Sequence, residues 1–129
     1  MKIAYYIVKS LLSFMMLASA TMYLTSRGDV AAEFTSLGFP TWLITPLAIA
    51  KILGVIAIWD LLKFEGAKRI RDFAYAGFAF NFLIAGTAHF QVGDGEYTPA
   101  FAALVLLIST AVLRCKLDAK AADKPACCS

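Results

Sequence analysis

Residues 42–62 read Trp42-Leu-Ile-Thr-Pro-Leu-Ala-Ile-Ala-Lys51-Ile-Leu-Gly-Val-Ile-Ala-Ile-Trp59-Asp60-Leu-Leu62, and this run decides the fold. No other charged residue lies within eight positions of Lys51. A run of about 20 apolar residues is long enough to cross a bilayer as a helix. An ionisable group near the middle of such a helix costs about 2.5–3.5 kcal/mol on insertion scales, so Lys51 marks a candidate site.

Working outward, the composition agrees. The chain has 129 residues, of which 60% are hydrophobic and 16% charged. Soluble domains average about 45–50% and about 25%. A small soluble core has no room for that excess, so the chain reads as a membrane protein of one domain. Its net charge of +3 includes no basic tract interleaved with aromatics, which gives no footprint for nucleic acid.

Three more apolar runs flank the first. Residues 3–24 make one span, broken by Lys9, which can snorkel toward head groups. Lys2 and Ala18-Ser19-Ala20 would also suit a cleaved signal peptide. The run is longer than the usual 7–15 residues, however, and an uncleaved span is the better reading. Residues 73–92 make a third span, with Asn81 at its middle and His89 near its far end. Gly93-Asp94-Gly95 is a turn, and Thr98-Pro99 opens a short fourth span over residues 99–114. Between the first two spans, Val30, Phe34 and Leu37 recur at helical spacing before Gly38 and Pro40, which predicts a short amphipathic surface helix.

The expected fold is therefore all-α, a four-transmembrane-helix bundle over residues 1–114, followed by a mobile cytoplasmic tail over 115–129. Orientation follows from charge. With four spans, one side holds Lys2, Lys63, Lys68, Arg69, Arg71, Arg114, Lys116, Lys120 and Lys124, whereas the other holds Arg27 alone. Basic residues at span ends favour the cytoplasm, so both termini are expected inside. Cys115, Cys127 and Cys128 then fall on the reducing side, where structural disulfides are not expected.

Few groups within the spans can carry chemistry. Lys51 lies about 13 Å from the outer end of its span, and Asn81 reaches similar depth on the next one. At 100° per residue, Gly77, Asn81, Ala85 and Ala88 form one stripe, a small-residue face of the kind that packs membrane helices, and Gly54 serves the same end on its own helix. His89 lies at the edge of this stripe and is the one side chain whose ordinary titration range spans neutrality. Asp60 lies on the opposite face of its helix from Lys51 and belongs, with Lys9, near the cytoplasmic boundary, where the two could pair across the first two spans. One histidine supplies neither a multi-histidine metal site nor paired haem ligands, and no serine–histidine–acid set or phosphate loop is present.

Three segments, in order, carry a family resemblance: Ala32-Glu33-Phe34-Thr35-Ser36-Leu37-Gly38-Phe39-Pro40, then Lys51-Ile52-Leu53-Gly54, then Phe73-Ala74-Tyr75-Ala76-Gly77-Phe78 leading to Ala88-His89. With them the chain resembles the DoxX-like family of small four-span membrane proteins. One position departs: Tyr23 stands where the family often has a lysine at the end of its first span. The resemblance implies a four-helix bundle associated with membrane redox systems, since the family is named for a small subunit of a quinone-linked sulfur-oxidising enzyme. It adds Glu33 to Lys51, Asn81 and His89 as candidate ligand-binding residues. Three functions are open at this point. One is an accessory or assembly subunit of a larger redox complex in a bacterial inner membrane, with other membrane subunits as partners. A second is a binding protein for quinone or another small apolar ligand. The third is a small oxidoreductase or isomerase. No catalytic residue, metal or intrinsic cofactor is expected.

Overall fold

The computed structural model describes residues 1–122. Five α-helices follow one another: α1 (Lys2–Thr25), α2 (Arg27–Ser36), α3 (Ile44–Ile58), α4 (Ala67–Val92) and α5 (Tyr97–Ala121). A 3-10 turn, Thr41–Leu43, leads into α3, and there is no strand among the described residues. Four segments are long and apolar enough to cross a membrane: α1, the 3-10 turn with α3, α4 and α5. α2 is the exception, a short helix that bridges α1 to α3.

The four long helices form a ring. α1 packs against α3 and α5, and α4 packs against the same two neighbours, so α1 and α4 face each other across the bundle. The shared core is built from residues spaced three or four apart on each helix: Leu12 and Met16, Val55 and Ile58, Phe78 and Phe82, Ala103 and Leu107. In lipid, apolar surface gains little by leaving its surroundings, so close fit does the holding. Gly54 shows the fit: a Cβ there would lie 2.3 Å from the Phe78 ring. Large side chains such as Ile3, Leu53, Phe73, Phe90 and Val105 point outward, as a lipid-facing surface requires.

The helix ends depart from the sequence-based boundaries in three places. α3 stops at Ile58, short of Leu62, because Asp60 takes a left-handed backbone (φ 54). Asp is one of the few residues other than glycine that visit this region. α4 begins at Ala67 rather than near residue 73, after Gly66 at φ 95. The first turn of α4 is polar but helical, and hydropathy registers only polarity. α5 continues to Ala121 rather than ending at Arg114, its last turns helped by an Arg114–Asp118 bond one turn apart. The rest of the expected tail, with Cys127 and Cys128, lies outside the described residues.

The end of the bundle carrying the α1 start, the α3–α4 linker and the last turns of α5 is held by ion pairs. Arg71 and Arg114 each donate to the Asp60 carboxylate, at 2.6 and 2.7 Å, and Arg114 also reaches Tyr5 Oη at 3.3 Å. Burial pushes the Asp60 carboxyl up, but the two guanidinium bonds outweigh it and hold the group below its usual range. Asp60 therefore does not pair with Lys9. The Lys9 ammonium is buried instead among the rings of Trp59, Tyr5 and Tyr6, 4.5–5.9 Å from their centroids. It is too well covered to snorkel.

Candidate functional site

A cavity of about 740 Å³ opens at the other end, between α1 and α4 and under α2. Its wall is mostly apolar and aromatic, with Phe14, Phe34, Phe39 and Phe80 among its residues. Five polar side chains join them: Ser19 and Tyr23 from α1, Glu33 from α2, and Asn81 and His89 from α4, while Glu96 adds a carboxylate at the rim of α5. Ligand sites commonly have this make-up, an apolar body with a few convergent polar groups.

The roof follows from local sequence. α2 turns Val30 and Phe34 inward, where they bury with Ile44 against Tyr23, Phe39 and Leu47. Tyr23 and Phe34 meet edge to face at 5.5 Å. Glu33, next to Phe34, is carried to the cavity by the same packing.

His89 is the centre of the polar pole. It lies in the last turn of α4, and Gly93 ends that helix at φ 73 with its N–H bonded to the His89 carbonyl. That left-handed turn, which glycine adopts freely, folds the chain back over the helix end. Asp94 thereby comes within 2.8 Å of His89 Nδ1. It also accepts the Glu96 N–H at 2.9 Å. The hydrogen bonds from His89 and from the Glu96 backbone hold the Asp94 carboxyl below its usual range. On the other side of the ring, Nε2 faces Glu33 Oε1 at 3.8 Å.

Chemistry fixes the proton. An ionised carboxylate only accepts, so Nδ1 carries the hydrogen that Asp94 holds. Nε2 faces Glu33 at a distance too long for a hydrogen bond. The two carboxylates sit on opposite nitrogens, not around one point. Among the described residues, no group of His, Cys, Asp and Glu could hold a metal ion.

Of the residues singled out from the sequence, Glu33, Asn81 and His89 are brought to one cavity. Lys51 is not on its wall. It is buried on α3, donates to Ser19 Oγ at 2.7 Å and lies 3.7 Å from the Tyr23 ring centroid. Ser19 and Tyr23 stand between the ammonium and the cavity, and Asn81 is not its partner. Asn81 makes no side-chain hydrogen bond among the described residues, and its amide is left for the cavity. Gly77 and Ala85, read as packing positions, also line the cavity. A Cβ on Gly77 would meet nothing within 4 Å, so that glycine does not serve helix contact. Ala88 is half-buried beside His89, while Gly54 packs closely, against Phe78.

Three participants were not found by sequence reasoning. Asp94 was visible only as part of a turn; its signal is a histidine four residues before a helix-ending glycine and an aspartate just after it. Ser19 had stood out only in a cleavage-site pattern. Tyr23 had stood out as a departure, and its place beside Lys51 gives that departure a physical setting: an aromatic face receives the ammonium there.

Fold and site together define a class, an integral membrane protein built as a four-span helix bundle with a roofed internal cavity. Within that class, the model of the DoxX-like family matches residues 7–112, and the chain belongs to this family. A search of curated proteins and a search of solved structures returned no match.

Proposed function

We propose that this protein binds a small apolar ring compound with a polar head, of the quinone class, inside the membrane. The observation that supports this reading is the cavity of about 740 Å³, whose mostly apolar wall carries a few polar side chains, with His89 and Glu33 facing each other among them. The aromatic wall takes the ring, and the polar pole takes the head group. Asn81, about 12 Å deeper along α4, offers a second polar contact.

The test is equilibrium dialysis of the detergent-purified protein against a decyl-substituted benzoquinone and its hydroquinone. Saturable binding is expected, and Ala85→Leu, which fills the wall, should weaken it at least about tenfold, the equivalent of 1.4 kcal/mol. A protein that retains neither form overturns the reading.

We also infer the orientation. The end with Asp60 and its arginines faces the cytoplasm of a bacterial inner membrane, and α2 lies at the outer surface with its apolar face turned to the bundle. The nine-to-one split of basic residues between the two sides supports this. Impermeant thiol labelling of single cysteines placed at residues 28 and 66 tests it: residue 28 should label in intact cells and residue 66 only after lysis. The accessory-subunit reading draws on the family's redox association. It fails if the protein purified in mild detergent runs alone.

A further inference from the structure

We infer that the groove between the start of α1 and the end of α5 binds the head group of an anionic phospholipid. It lies at the opposite end of the bundle from the cavity under α2 and stands whatever that cavity holds.

The groove encloses about 500 Å³ and is lined by Met1, Lys2 and Ile3 from one end of the chain and by Leu117, Lys120 and Ala121 from α5. Its two charged side chains are both positive, and its wall carries no carboxylate among the described residues. Neither lysine makes an ion pair among the described residues. The acid next to Leu117, Asp118, points about 100° round the helix and is held by Arg114 at 3.1 Å. Asp60, the other paired acid at this end, is held by Arg71 and Arg114. Like charges that share a groove repel each other, and an anion seated between them relieves this.

Position selects the kind of anion. Lys2 is the first residue of α1 and Lys120 is next to last in α5, so both stand where spans meet head groups. The other four lining residues are apolar. From the groove, Ile3, Ile7 and Leu11 continue inward along α1 at every fourth residue, each more than half exposed, in steps of about 6 Å. A phosphate between the lysines sets its acyl chains along this stripe. A free phosphate ion leaves the apolar part of the groove unused. Basic pockets between spanning helices take anionic lipid head groups in the same way. Such a lipid bridges the first and last helices, which Arg114 and Tyr5 join about one turn further in.

A lysine beside an anionic lipid surface gives roughly a fivefold gain. Both lysines are exposed and screened by salt, so the pair is expected to give about tenfold.

The experiment exchanges the full-length protein, in a neutral detergent, against equimolar phosphatidylglycerol and phosphatidylcholine and counts retained lipids by native mass spectrometry. Phosphatidylglycerol should be retained about tenfold over phosphatidylcholine. Lys2→Gln combined with Lys120→Gln should bring the ratio close to one. Lys116→Gln removes an exposed charge from the same stretch of α5 but off the groove wall, and should leave the ratio unchanged. Glycerol 3-phosphate in excess should not displace the lipid. Equal retention of the two lipids by the wild type overturns the inference. An equal loss in Lys116→Gln overturns it too, because the preference is then diffuse surface charge. Displacement by glycerol 3-phosphate overturns the lipid assignment in favour of a free phosphate site.

Discussion

The two ends of the bundle treat charge in opposite ways. At one end Asp60 is saturated: Arg71 and Arg114 both donate to it, and Lys9 is enclosed by three aromatic rings. At the other end His89 stands between two carboxylates with one nitrogen uncommitted, and Asn81 has no partner among the described residues. A closed set of partners fixes helices in place but leaves nothing for a ligand. An incomplete set beside a cavity is costly unless something occupies it. The glycines repeat the contrast. Gly54 is filled by Phe78, whereas Gly77 faces open space. A closed cluster of ion pairs and an open cavity thus occupy opposite ends of one small bundle.

The largest expected effect comes from breaking the saturated end. Asp60→Ala leaves two guanidiniums without their acceptor, one of them buried. Removal of one partner of a buried pair costs roughly 3–5 kcal/mol. With the Asp60 side chain 40% exposed, solvent screening brings the expectation down to about 2–3 kcal/mol. Thermal unfolding in detergent should show it, with ligand affinity little changed.

Acid should act through the same residue. The folded-state carboxyl of Asp60 lies below its ordinary value of 3.8. Its contribution is therefore complete above that value and is lost as pH falls through the folded one. Midpoint temperature should decline below about pH 4, and Asp60→Asn should flatten the decline. If the two profiles coincide, the clasp is not what acid breaks.

The two glycines should respond with opposite signs. Gly54→Ala forces the Phe78 ring aside within the core, at an expected cost of about 1–3 kcal/mol. Gly77→Ala adds a methyl to open space, and helix propensity should raise stability by about 0.5–1 kcal/mol. The same methyl narrows the cavity, so bulky ring compounds should bind less well. The smallest effect is expected for Lys51→Met, which exchanges a buried ammonium for a chain of similar volume and should shift stability by less than about 1 kcal/mol. Ligand retention should persist in this variant, because Ser19 and Tyr23 separate Lys51 from the cavity.

The four spans were legible in the sequence because length and hydropathy are properties of each segment alone. Their ends were less so. Lys68, Arg69 and Arg71 look like a loop to a hydropathy reading, yet Gly66 starts a helix beneath them and Arg71 is drawn back to Asp60. For the site, helical angles grouped Asn81, Ala85 and Gly77 correctly on one face of α4. They gave no information about what that face looks onto, and it proved to be a cavity. Lys51 shows the same limit: its face on α3 was assigned, but nothing in one sequence says that α1, with Ser19 and Tyr23, occupies the space in front of it. Asp94 joins the site only because Gly93 takes a left-handed turn, a backbone event that composition does not record.

The Asp60 clasp also has a place in time. The chain is made from its N-terminus, so Arg71 reaches Asp60 soon after both emerge, when only α1, α2 and α3 precede them. Arg114 comes last, and it ties Asp60 to Tyr5, which lies 109 positions earlier in the chain. The second guanidinium bond therefore cannot form until the final helix has been delivered to the membrane. A ribosome stalled within α5 leaves the first and last helices unjoined at that end, and closure of this contact marks a finished bundle.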